Sequence, residues 1–179
     1  MARIKLGTTL SGSLWLEHIT DLFSLDGRFA RGKTYFNKGY VKKFSFDGSF
    51  VEAGVKGSYG NYQTHFEFDN DEDAKRKIID YFQSNPMAQS SLLNGELTES
   101  FFDWCKSENI TLFITRKHII QGIRHRSVLN YEASCSCYDF YDAGSPCKHL
   151  NALLFALCAE IDTPIIPYQI RQQVRLLYN

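Results

Sequence analysis

The sequence predicts an α+β fold in which an antiparallel β-meander packs with helices and a strand-loop-helix unit follows near the C-terminal end. Three consecutive runs between residues 40 and 69 alternate apolar and polar residues, as strands with one buried face do. Segments on both sides of these runs carry apolar residues at helical spacing instead. A group of three cysteines and one histidine lies between residues 135 and 149, where the last predicted strand is followed by the last predicted helix.

Two segments precede the sheet. Residues 15–23 mix apolar and polar positions as a short helix does. The basic and aromatic stretch over residues 29–40 predicts a short helix or turn that leads into the sheet. High aromatic content, 15% of the chain, favours strands and argues against disorder.

The meander is predicted to contain three strands, from about residue 40 to residue 69. Asp47-Gly48 is a dipeptide typical of hairpin turns, and residues 57–61 form a second turn. The residues predicted to share one face are, strand by strand, Phe44 and Phe46; Val51, Ala53 and Val55; and Tyr62, Thr64, Phe66 and Phe68.

Two amphipathic helices are predicted after the sheet. The first opens in the acidic run of residues 69–73, which suits a helix N-terminus, and continues to about Gln83. Pro86 is predicted to end this region. The second helix covers residues 97–107 and places Cys105 on its apolar stripe. Residues 111–126 indicate short β runs with basic residues between and after them.

The C-terminal unit is predicted to be a strand, a polar loop containing glycine, and a helix that begins near Pro146. The strand has one face composed of Leu129, Tyr131, Ala133, Cys135 and Cys137. The helix has an apolar stripe composed of Leu150, Leu153, Leu154, Leu157, Cys158 and Ile161.

The four candidate metal ligands are Cys135, Cys137, Cys147 and His149. A Cys-x-Cys pair on a strand presents two sulfurs on one face, and the first turn of the helix supplies the other two donors. Three thiolates and an imidazole suit tetrahedral Zn²⁺, while an iron–sulfur cluster or a redox thiol pair are the alternatives. The helix N-terminus and Lys148 are expected to offset the negative charge of the site.

The other titratable candidates favour a non-catalytic protein. Cys105 and Cys158 lie in apolar periodic segments and are predicted to pack in the core, and His18 and His65 stand alone. Four protein ligands close a zinc coordination sphere, and the sequence has no hydrolase motif and no phosphate-binding loop. The zinc is therefore expected to be structural and the protein not an enzyme.

The charge balance excludes a strongly basic nucleic-acid-binding domain, because twenty Lys and Arg stand against twenty Asp and Glu. A nucleic-acid role requires local clustering, and two basic clusters are present, with aromatic residues in or near them that can stack on bases. The candidate DNA- or RNA-binding residues are Arg28, Arg31, Lys33, Lys38, Lys42 and Lys43 in the first cluster, and Arg116, Lys117, Arg124 and Arg126 with His118 and His125 in the second.

The Cys-x-Cys and Cys-x-His pattern before an apolar helix resembles the SWIM zinc finger. The similarity is closest at residues 135–140 and 146–155, and it extends to residues 29–35, to the strands after residue 41 and to residues 159–164. Tyr138 replaces a proline common in the family, and residues 141–144 lengthen the loop. The resemblance implies a DNA-binding or protein-interaction module that acts beside a Swi–Snf-type ATPase.

These observations predict an α+β region over residues 1–126, a SWIM-like zinc finger over 127–165 and a tail over 166–179. The expected function is a zinc-binding accessory protein of a nucleic-acid-handling machine that binds DNA or RNA weakly. The alternative is a protein-interaction adaptor in which zinc is only a scaffold. No signal peptide and no apolar stretch long enough to span a membrane are evident, so a cytoplasmic location without membrane contact is expected. The oligomeric state stays open.

Overall fold

Seven helices and four strands make up the part of the chain that the computed structural model describes, which is residues 4–47, 50–67, 72–110, 133–142 and 146–162. This arrangement confirms the predicted α+β class. The elements in chain order are α1 (Leu10–Phe23), α2 (Gly27–Asn37), β1 (Val41–Phe46), β2 (Phe50–Lys56), β3 (Asn61–Glu67), α3 (Glu72–Ser84), α4 (Pro86–Leu93), α5 (Glu99–Ser107), β4 (Ala133–Cys135), α6 (Tyr138–Asp142) and α7 (Lys148–Asp162).

The four strands form one antiparallel sheet in the order β1-β2-β3-β4. The predicted meander is confirmed as β1, β2 and β3. Asp47 stabilises the first turn, because its backbone N–H donates to Phe50 O at 3.1 Å and its carboxylate accepts from Phe50 N at 2.7 Å. Strand β4 adds to the free edge of β3 with Cys135 opposite Thr64, so the sheet leads directly into the cysteine cluster.

Side-chain caps mark the beginnings of four helices. The caps are Thr9 for α1, Asp26 for α2, Asn85 for α4 and Thr98 for α5, and each side chain accepts a hydrogen bond from a backbone N–H in the first turn. The sequence predicted that Pro86 ends the helical region, but this prediction is wrong, because Pro86 begins α4. With Asn85 as the cap, the missing N–H of the proline falls in the first turn, where no intrahelical partner exists.

Helix α7 lies at the centre of the main core. It packs against α1 and α2 on one side and contacts all four strands on the other. Every residue from 149 to 158 is buried, including those outside the predicted apolar stripe. The predicted apolar stripe is therefore correct, but it covers only part of the buried surface. The predicted loop before α7 contains the short helix α6.

A second hydrophobic cluster joins α3, α4 and α5. Its buried residues are Ile78, Phe82, Ala88, Leu92, Phe101, Phe102 and Cys105, and Leu14 of α1 packs against it. None of the described helices is both long and apolar enough to cross a membrane. The predicted β runs of residues 111–126 and the predicted tail of residues 166–179 lie outside the described residues, as do Gly48 and Phe68.

Candidate metal centre

Three elements bring the four candidate ligands together. Strand β4 carries Cys135, and the turn after it carries Cys137. Cys147 directly precedes α7, and His149 lies in its first turn. The ligand atoms all lie within 4.8 Å of one another, and the four side chains are at most 3% exposed. These residues therefore form a buried cluster that can hold one metal ion.

Backbone hydrogen bonds hold both halves of the cluster. On the sheet side, Ser136 N donates to Gln63 O at 3.0 Å, which extends the β3–β4 ladder past Cys135. On the helix side, the backbone N–H of Asn151 donates to Cys147 O at 2.9 Å, and its side-chain amide donates to Pro146 O at 2.9 Å and to Cys147 O at 3.2 Å. Leu150 N lies 3.4 Å from Cys147 Sγ, so a backbone N–H is available to stabilise a thiolate there.

The distances fit a tetrahedral ion. The Nδ1 atom of His149 lies 3.9 Å from Cys135 Sγ and 4.0 Å from Cys147 Sγ. Zinc bonds of 2.0–2.3 Å in a tetrahedron separate their donor atoms by about 3.6–3.8 Å. These two distances are slightly longer than the tetrahedral values, and Nδ1 is the imidazole atom that faces the two sulfurs.

The three candidate thiol ligands shift one another's pKa values. Hydrogen bonds from Cys135 and Cys147 lower the pKa of the Cys137 thiol well below its usual range, and hydrogen bonding to Cys137 and Cys147 raises the pKa of the Cys135 thiol. The ionisation of each thiol therefore depends on that of its neighbours. Further ionisation would bring like charges together in a buried place, so three thiolates require a cation between them. The donor set is therefore matched to a metal ion.

Aromatic rings and one glycine enclose His149. The Tyr62 ring stacks on the imidazole at a centroid distance of 4.3 Å, and the Tyr35 ring meets it edge-on at 5.5 Å. On Gly57 a Cβ atom would overlap the Tyr62 ring and lie 2.8 Å from His149 Nε2. Nε2 is buried and has no hydrogen-bond partner among the described residues. Sequence reasoning assigned Gly57 to a turn and Tyr62 to a strand face, and no local pattern indicates their contact with His149.

The other cysteines and histidines of the described residues are not part of the cluster. Cys105 and Cys158 are buried in the two hydrophobic clusters, as predicted, and burial raises the pKa of each thiol to about 12. His65 lies on β3 with Nδ1 2.8 Å from Ser134 Oγ. Lys148 lies 3.2 Å from the carboxylate of Asp139, so its nearest charged partner is that residue.

The first basic cluster is spread over α2 and β1. Arg28 lies 3.6 Å from Asp26, whereas no carboxylate of the described residues forms an ion pair with Arg31, Lys33, Lys38, Lys42 or Lys43. By contrast, the basic residues of α3 and α5 are paired, as Lys75–Glu72, Arg76–Asp73, Lys77–Glu108 and Lys106–Asp103. Arg116, Lys117, Arg124 and Arg126 of the second cluster lie outside the described residues.

No family model, curated protein or solved structure matches the chain.

Proposed function

We propose that this chain is a non-catalytic, SWIM-like zinc protein that serves as an accessory component of a nucleic-acid-handling machine and binds DNA or RNA weakly. The observation that carries the proposal is the convergence of Cys135, Cys137, Cys147 and His149 within 4.8 Å, all of them buried. The family resemblance adds a Swi–Snf-type ATPase as the candidate partner.

Zinc is the metal that this donor set favours. Thiolate ligands select zinc, copper(I) or iron–sulfur clusters over magnesium and calcium, which prefer oxygen. An iron–sulfur cluster distributes its ligands over two or more irons, whereas these donor atoms surround a space suited to one ion. All five cysteines are free thiols, which agrees with a reducing location inside the cell.

A structural role fits the site better than a catalytic role. Catalytic zinc sites use three protein ligands and reserve a fourth position for water or substrate. Here four protein donors are present, and each of their side chains is at most 3% exposed. The zinc would hold β4 and α7 together and contribute folding free energy.

Metal content tests this part of the proposal. The purified protein should contain about one zinc per chain, four-coordinate by X-ray absorption. Cys147→Ser and His149→Ala should lose most of the zinc and melt at a lower temperature, while Cys105→Ser should keep the zinc. Zinc retained in the first two variants, or a water ligand in the X-ray absorption spectrum, would contradict the proposal.

Nucleic-acid binding is supported by the cations of α2 and β1 that form no ion pair with a carboxylate in the described part of the chain. We expect fluorescence anisotropy to detect binding of an oligonucleotide at about 10–100 µM protein in low salt, with an affinity that falls as salt rises. This range reflects a chain of zero net charge. Absence of binding to any DNA or RNA would favour the protein-adaptor alternative, for which exposed Met87 and Leu93 on α4 offer an apolar contact.

A further inference from the structure

A small aromatic and cationic surface lies next to the metal centre. It is composed of Lys38, Tyr40, Lys56 and Tyr59, and we refer to these four residues as the hairpin surface. The ammonium groups of Lys38 and Lys56 lie 5.9 Å and 5.8 Å from the centre of the Tyr40 ring. Backbone pairing connects the two segments, since Lys56 N donates to Tyr40 O at 2.9 Å.

Tyr59 is the most unusual member of the hairpin surface. It lies in the turn between β2 and β3, which Gly57 N and Gly60 O close with a hydrogen bond of 2.7 Å, and its side chain is 96% exposed. Turn positions favour small polar residues, and a fully exposed tyrosine gains no stability from packing. An aromatic side chain in this place is suited to contact with another molecule.

The hairpin surface is anchored to the rigid metal centre. The Tyr40 ring meets the Tyr35 ring edge-on at 5.3 Å, and Tyr35 in turn contacts His149. The turn that carries Tyr59 begins at Gly57, whose backbone packs against His149 and Tyr62. Because a preformed surface loses little conformational entropy on binding, this anchoring favours recognition.

We infer that the hairpin surface binds single-stranded nucleic acid, an inference that rests on the proposed nucleic-acid function and names its ligand. Bases would stack on Tyr59 and on the accessible part of Tyr40, and the two lysines would contact phosphates. The ammonium groups suit phosphates because no carboxylate of the described residues forms an ion pair with either. Lys56 and Tyr59 were not among the candidates that the sequence singled out.

Single strands fit this surface better than a duplex. In a duplex the base faces are covered by neighbouring bases, so an exposed tyrosine can stack only at an end or on an unpaired base. Alternation of aromatic rings and cations is the usual composition of single-strand-binding surfaces. The exposed ring of Tyr59 would contribute little to a contact with duplex phosphates alone.

The test compares a fluorescein-labelled oligo-dT of about 15 nucleotides with a duplex of equal length by anisotropy at low salt. Wild type should bind the single strand more tightly. Tyr59→Ala should weaken that binding by about 5- to 100-fold, the range expected for one stacked base, whereas Tyr59→Phe should bind as wild type does.

Replacing Lys38 and Lys56 by Gln should reduce the slope of log affinity against log salt by about 1.4, since each phosphate contact contributes about 0.7.

The matched control replaces Lys75 and Lys106 by Gln, which removes the same charge from α3 and α5 and should leave the slope unchanged. Zinc content and melting temperature should equal those of wild type in Tyr59→Ala. Oligo-dT binding that survives Tyr59→Ala unchanged, or equal affinity for duplex, would overturn the hairpin surface as the site while leaving nucleic-acid binding intact. If wild type binds no oligonucleotide, the proposed nucleic-acid function fails and this inference fails with it.

Discussion

Gly57 has a role that its place in a turn does not reveal. Its backbone conformation is open to other residues, but its Cα lies against the rings of Tyr62 and His149. Glycine is needed there because any Cβ would displace one of the two rings. The position of the candidate ligand His149 therefore depends on a residue that donates nothing to the metal.

We expect Gly57→Ala to weaken the metal site. The added methyl group would push Tyr62 or the imidazole aside, which should lower zinc affinity by about 10- to 100-fold, as loss of supporting contacts does. Overpacking should also lower the free energy of unfolding by about 1–3 kcal/mol. Competition with a chromophoric zinc chelator and thermal unfolding would measure both effects.

Gly54→Ala is the matched control for Gly57→Ala. Gly54 lies on β2, three residues before Gly57, and a Cβ there would make ordinary contacts of 3.7 Å or more with Lys42 and Gln63. Zinc affinity should stay at the wild-type value in this variant. Equal effects of the two substitutions would mean that general loss of strand stability, rather than displacement of His149, is responsible.

At the scale of elements, α7 connects the metal centre with the N-terminal helices. Helix α2 approaches it closely at Gly32, where a Cβ would overlap Asn151, and the Phe29 ring lies 4.8 Å from the Phe155 ring. Helix α1 is attached by a hydrogen bond of 3.1 Å from Trp15 Nε1 to Leu154 O. Helices α1 and α2 thus supply the surface on which one side of α7 packs.

The far end of α7 caps α1. The Asp162 carboxylate accepts hydrogen bonds from the backbone N–H groups of Gly7, Thr8 and Thr9 and from the Thr9 hydroxyl. A negative charge at a helix N-terminus is favoured by the dipole as well as by these donors. Asp162 therefore has a structural role, because it joins the end of α7 to the beginning of α1.

Asp162→Asn should lower the free energy of unfolding by about 1 kcal/mol. The substitution removes the negative charge, and it replaces one accepting oxygen by an NH₂ group that cannot accept a hydrogen bond from the backbone N–H groups of residues 7–9. Zinc content should not change, because 13 residues of helix, about 20 Å, separate position 162 from His149. Asp21→Asn, an exposed position near the other end of α1, serves as the control and should have little effect. Chemical denaturation of the three proteins would measure the difference, and equal stability of all three would refute this role of Asp162.

At the scale of the whole molecule, the net charge is zero, but the ion pairs between basic and acidic side chains are unevenly distributed. Among the described residues, the cations of α3 and α5 are all paired with carboxylates, whereas those of β1 and β2 are not, and in α2 Arg28 is paired with Asp26 while Arg31 and Lys33 are unpaired. The two hydrophobic clusters follow the same division of the chain. Helices α3, α4 and α5, which include the helices with paired cations, form the second cluster, and the candidate metal centre lies in the first. Within the described part of the chain, α2, β1 and β2, which pack against the helix that carries His149, also carry lysines and arginines without a carboxylate partner.

The sequence by itself determined the α+β class and the meander and singled out the four candidate metal ligands, since period-two alternation and close Cys and His spacing are local properties of the chain. Only the tertiary structure decided that α7 is buried on all sides, because α2 lies far away in sequence. The same holds for Tyr35, Gly57 and Tyr62 around His149, which belong to separate elements that long-range packing brings together. Pro86 shows where a local pattern is not sufficient for a prediction. A proline ends one helix or begins another, depending on whether the residue before it caps the next helix.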